Sequence, residues 1–69
     1  MEQEELKIRF TYHPPTPEQV IKYETLRRNA FDFATIINEI CPDSREKSLA
    51  LTHLEDSVMC ANASIARRE

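Results

Sequence analysis

An all-α fold is expected of this chain: an antiparallel two-helix hairpin over residues 17–40 and 44–68, led by a short extended segment over 6–12 and assembled as an oligomer. Three observations carry the expectation. Glycine is absent from all 69 residues, which removes the residue that tight β-hairpins use for positive φ and leaves helices joined by short loops. Two runs of apolar residues recur at alternating spacings of three and four, with Cys41-Pro42-Asp43 between them. Finally, a lone chain of this length buries only about 60% of the surface it exposes when unfolded. Such chains need disulfides, a metal or further copies of themselves. Two cysteines allow at most one internal bridge, so assembly is the expected recourse.

The elements follow in order. Leu6, Ile8, Phe10 and Tyr12 alternate with polar residues, the period-two pattern of an extended segment with one buried face. Pro14 and Pro15 force an extended turn, because the residue before a proline is driven from the helical region. Thr16, Pro17 and Gln19 are placed as N-cap, first helical residue and third residue of a capping box. The first seam is Tyr23, Leu26, Ala30, Phe33, Ile37 and Ile40. After Pro42 a second helix is capped by Asp43 or Ser44, with Glu46 closing a box if Asp43 is the cap. Its seam is Leu51, Leu54, Val58, Ala61 and Ile65. Helices of about 24 residues are about 35 Å long, and so short a connection lays them antiparallel. Phe31, Ile36, Leu49, Met59 and Cys60 lie off both seams, and a two-helix hairpin has no third layer to cover them. They are expected to bury against other subunits.

Composition excludes several classes of function. Nine Lys and Arg against twelve Asp and Glu give a net charge of −3, which argues against DNA, RNA or an anionic membrane as partner. The opening residues MEQEELKIRF are not a basic stretch followed by an apolar run, so no signal peptide is expected. No apolar stretch approaches the roughly 20 residues of a membrane span. A cytoplasmic protein with reduced thiols is the expectation.

No metal centre, cofactor or catalytic machinery is expected. Cys41, Cys60, His13 and His53 show none of the spacings of a metal site. Cys41 lies at the turn and Cys60 about 24 Å along the second helix, too far apart for a disulfide. The carboxylates fall mostly on polar faces, and Glu24 stands four residues before Arg28, the spacing of a helix-surface ion pair. No glycine-rich phosphate cradle or nucleophile elbow is present, so the chain is expected not to be an enzyme.

What remains is the Tyr12-His13-Pro14-Pro15 turn and the arginines. A tyrosine held by two prolines suits stacking on a nucleobase; equally, Tyr12 continues the buried face of Leu6, Ile8 and Phe10. His13 is a ligand contact or a polar turn residue. Arginine suits phosphate through its fixed fork of donors, although Arg67 and Arg68 also satisfy a helix C-terminus. Arg27 and Arg67 are expected at different heights along the rod, giving separate anion sites.

The string itself carries a resemblance. Phe10-Thr11-Tyr12-His13-Pro14-Pro15, Gln19, Tyr23-Glu24-x-Leu26-Arg27, Cys41-Pro42-x-Ser44-Arg45-Glu46-Lys47-Ser48-Leu49-Ala50-Leu51-Thr52 and Val58-Met59-x-Ala61-Asn62-Ala63-x-Ile65-Ala66-Arg67 resemble the phage sponges that sequester cyclic nucleotides of the bacterial CBASS defence. Their helical hairpin domain is shared with sponges opposing the Thoeris defence, which bind cyclic ADP-ribose isomers. The resemblance implies a hexamer with cyclic dinucleotides held between protomers, a tyrosine stacking on a base and a cation on phosphate. By similarity these are Tyr12 and Arg27, with the neighbouring Arg28 an alternative cation. It further implies a pocket on three-fold axes that takes cyclic trinucleotides through a C-terminal arginine, matched here by Arg67. One departure is Cys60, where relatives often carry tryptophan between Met59 and Ala61. The partners implied are therefore cyclic di- and trinucleotides and further copies of the same chain.

Overall fold

The extended segment expected over residues 6–12 is instead a helix. The computed structural model describes residues 1–69 as three helices and no strand: α1 (Gln3–Phe10), α2 (Pro17–Ile40) and α3 (Arg45–Arg68). An isolated strand leaves its backbone donors and acceptors unpaired, whereas a helix pairs them internally. Charge favours the helix too, with Glu4 and Glu5 in the first turn and Lys7 and Arg9 in the last, each complementing the helix dipole. Glu5 and Arg9 pair at 3.2 Å, four residues apart. The alternation misleads because it spans few residues: Leu6 and Phe10 share a helical face, while Ile8 lies away from them. Only Thr11 and Tyr12 of the segment lie outside the helix, with Thr11 extended at φ −107°, ψ 140°.

α2 begins as expected. Thr16 Oγ1 accepts from the Gln19 backbone N–H at 3.2 Å, and Gln19 Oε1 accepts from the Thr16 N–H at 3.0 Å. Pro17 occupies the first turn, where a missing N–H leaves nothing unpaired. The helix closes with the Cys41 N–H donating to the Ile37 carbonyl at 3.0 Å, just before Pro42. Ser44, not Asp43, caps α3: it is extended, and its hydroxyl oxygen accepts from the Lys47 N–H at 3.1 Å. Helix α3 therefore starts at Arg45, one residue beyond the expected 44, and the Asp43–Glu46 box does not form. Asp43 pairs instead with Lys47 at 3.0 Å, and the same ammonium donates to the Asn38 carbonyl at 2.9 Å. One lysine thus ties the end of α2 to the start of α3.

At the opposite end, Glu69 accepts from Lys22 and Gln19. The start of α2 is therefore beside the end of α3, and the helices run antiparallel. Leu51, Leu54, Val58, Ala61 and Ile65 are all half-buried along the α3 seam. On α2 the seam holds at Tyr23, Leu26, Ala30 and Ile37, the last of them buried, and fails at two positions: Phe33 and Ile40 are 54% and 74% exposed, and Ala34 is half-buried beside Phe33. A 3.6-residue helix drifts about 20° per heptad from a three-four repeat, which turns Phe33 and Ile40 out of the interface. Glu24 and Arg28 form no ion pair; the ion pairs of the chain join Glu5–Arg9, Lys22–Glu69, Asp43–Lys47 and Glu5–Arg68.

The result is a slab measuring 45 × 30 × 13 Å with a radius of gyration of 15.2 Å. A compact domain of this length would have a radius near 11 Å. Thirteen ångströms is about one helix thick, so both broad faces of the hairpin are outer surfaces. Ile37 is the one buried residue.

Candidate functional site

Three segments converge on one hollow near the open end of the hairpin. Arg9 and the Thr11-Tyr12-His13 stretch form one wall, Tyr23 and Arg27 of α2 the second, and Asn62, Ala63, Ala66 and Arg67 of α3 the third. Its volume is about 410 Å³, within the roughly 300–1,000 Å³ range of small-molecule sites. Tyr23 and Arg27 stand four residues apart on α2, as do Asn62–Ala66 and Ala63–Arg67 on α3, so each set lies along one helical stripe. The two alanines are the local reason for the hollow, since they leave space that longer side chains would fill.

The expected site residues fall as follows. Tyr12 is 80% exposed, so the reading that continues it into a buried face fails, and its ring borders the hollow. His13 is half-buried and bonds through Nε2 to the Ile8 carbonyl at 2.8 Å. A carbonyl only accepts, so Nε2 carries the proton and donates. Ile8 belongs to the last turn of α1, whose carbonyls lack helical partners; His13 therefore closes the end of that helix. Arg27 and Arg67 stand at different heights, as expected, with an axial offset of about 15 Å, but one hollow running along the hairpin is lined by both rather than two separate sites. Arg28 is not part of it: it borders a shallow depression with Glu24, Arg27 and Phe31.

Electrostatics single out this place on an acidic protein. None of the residues lining the hollow is Asp or Glu. The guanidinium groups of Arg27 and Arg67 make no ion pair or hydrogen bond within the chain, whereas Arg9 is engaged by Glu5. Glu5 also receives both terminal nitrogens of Arg68, at 2.6 and 3.2 Å. The forked Arg68 bonds and then the Arg9 bond lower the Glu5 carboxyl from 4.5 to about 2, and the same contact raises Arg68 above its ordinary value. Bonds from Lys22 and Gln19 lower Glu69 likewise. Glu5 and Glu69 are thus occupied by other partners, and Arg27 and Arg67, without an intrachain partner, share the hollow with the chain's two tyrosines. Such an array can stack a planar base and neutralise phosphate.

Sequence reasoning missed Tyr23, Asn62, Arg9 and Thr11. Tyr23 belongs to the seam, which its half-burial fits, and its four-residue spacing to Arg27 also places it on the hollow's stripe. No group of three or more His, Cys, Asp or Glu is placed to hold a metal, and Cys41 and Cys60 are free thiols. No helix is long and apolar enough to cross a membrane.

A helical hairpin with an acid-free hollow of tyrosines and unpaired arginines defines a small module equipped for a compact, planar, multiply charged anion. The chain belongs to the Acb2/Tad1 hairpin-domain family, whose model matches residues 2–66. That family is one of anti-CBASS and anti-Thoeris sponges, and it implies an anti-defence sponge role. Neither a curated protein nor a solved structure matches the chain.

Proposed function

We propose that this protein is a phage sponge acting in the cytoplasm of the infected bacterium. It binds cyclic di- and trinucleotides without degrading them and holds their free concentration below what CBASS effectors need. The observation that carries this reading is the hollow lined by Tyr12, Arg27 and Arg67 and by no carboxylate. A sponge acts stoichiometrically and requires no catalytic group, so the bound messenger is released intact when the complex is denatured. The family relationship and the two open faces of the slab support a homo-oligomer, a hexamer by the family resemblance, in which protomers complete each other's sites.

Calorimetry with site variants tests the reading. Tyr12→Ala removes a stacking surface worth about 1–3 kcal/mol per base, and with Arg27→Ala it weakens cyclic dinucleotide binding while the assembly persists. Arg67→Ala impairs cyclic trinucleotides more than dinucleotides, because a third phosphate calls on a further guanidinium. Wild-type affinity in all three variants would refute the site. The family match also supports a second reading, capture of cyclic ADP-ribose isomers, which a parallel titration separates. Failure to bind any nucleotide would instead favour a protein partner on the groove containing Phe31 and Met59.

A further inference from the structure

Asn62 stands on α3 at the boundary between the ligand hollow and a second, more apolar groove, and it lines both, as Arg27 does from α2. Its Oδ1 is enclosed and receives no hydrogen bond, the one enclosed side-chain oxygen or nitrogen of the chain in that state. An enclosed acceptor without a donor destabilises the fold that contains it. A leucine of similar size would serve the α2–α3 packing better, so packing does not account for the amide.

We propose that Asn62 is a specificity-determining residue of the binding site, turning its amide to hydrogen-bond the nucleoside part of the messenger. This rests on the sponge reading above. The unpaired atom decides which part of the ligand is read. Phosphate oxygens at neutral pH only accept, so they cannot satisfy Oδ1; they belong with Arg27 and Arg67. A nucleobase N–H or a ribose hydroxyl donates, and the adjacent Nδ2 can donate in return to a neighbouring base acceptor. Tyr12 supplies a sequence-tolerant stacking face, whereas Asn62 supplies a contact that depends on which groups the ligand carries.

The test is Asn62→Leu, titrated with adenine-, guanine- and uracil-containing cyclic dinucleotides and with their 2′-deoxy analogues, alongside thermal melting. The leucine variant is expected to melt at or above wild type and to lose about tenfold in affinity, the worth of about one hydrogen bond. Differences among bases flatten if the base edge is read; the gap between ribo- and deoxy-ligands closes if the hydroxyl is read. A leucine variant that binds every ligand as wild type does would overturn the proposal. Side-chain amide NMR of the unaltered protein gives a second readout: the Asn62 Nδ2 protons are expected to shift on saturation, and unmoved signals would equally overturn it. A wild type that binds none of the cyclic nucleotides defeats the sponge reading itself, a result distinguishable from indifference of Asn62 alone.

Discussion

His13 separates what a residue contributes to a ligand from what it contributes to the shape around the ligand. Its neighbour Tyr12 is 80% exposed, so burial does not hold that ring; the backbone beside it must do so. Pro14 and Pro15 restrain it from one side. On the same side, His13 folds back and fastens the turn to the Ile8 carbonyl of α1 through a 2.8 Å bond. The expected observation is the Nε2-protonated tautomer in the free protein, read from long-range nitrogen–proton NMR. His13→Ala should loosen the end of α1 and weaken ligand binding less than Tyr12→Ala does. An Nδ1-protonated ring would remove the cap. At this scale Tyr12, Arg27 and Arg67 were singled out through the family resemblance of the string, and all three border the hollow. Tyr23 and Asn62 were not: half-burial makes a tyrosine look like core, and an unpaired amide is visible only once its surroundings are built.

Among the elements, α2 was legible to its ends, since Thr16, Pro17 and Gln19 at one end and Pro42 at the other act through local backbone chemistry. The cap of α3 was open between two residues because Asp43 and Ser44 both present an acceptor. The structure resolves the choice by committing Asp43 to Lys47. α1 was misread, and the reason is that so little of it packs: no residue of α1 is buried, and Phe10 is 84% exposed. Beside the half-buried Leu6 and Ile8, a polar tie links α1 to the hairpin, the fork of Arg68 on Glu5, joining residues 63 apart in sequence. A contact so distant along the chain leaves no periodic trace. It does leave a pH signature. Docking lowers the Glu5 carboxyl to about 2 from 4.5, so the docked state prefers the ionised form. The tie is complete above the ordinary carboxyl value, weakens as the pH falls below it, and is lost below about 2. Protection of the α1 amides, taken relative to their intrinsic exchange rate at each pH, should fall over that acid window, and Glu5→Gln should remove that pH dependence while leaving α1 less protected throughout. Because the pair is solvated, added salt should loosen it as well.

For the molecule as a whole, area decides. The chain exposes 5678 Å², about 1,200 Å² more than the roughly 4,500 Å² of a compact monomer of its mass. A standard protein interface buries about 800 Å² on each partner, so the excess is of the size that association removes. Its distribution is equally informative. Phe31 is 71% and Phe33 54% exposed, and two residues along a helix turn the side chain about 200°, so the rings project from opposite faces. Phe31 borders the groove with Met59 and Val58, a volume of about 540 Å³, while Phe33 is accompanied by exposed Ile36 and Ile40. Two apolar faces call for two contacts per protomer, and a pair of copies sharing one contact would leave the other bare. Native mass spectrometry is therefore expected to show an assembly larger than a dimer. Phe31→Asp and Phe33→Asp should each reduce it to a smaller species by removing a different contact. Because the native form is then the assembled one, its thermal midpoint should rise with protein concentration. A monomer with a midpoint independent of concentration would contradict the area reasoning, and the site would then have to be complete within a single hairpin.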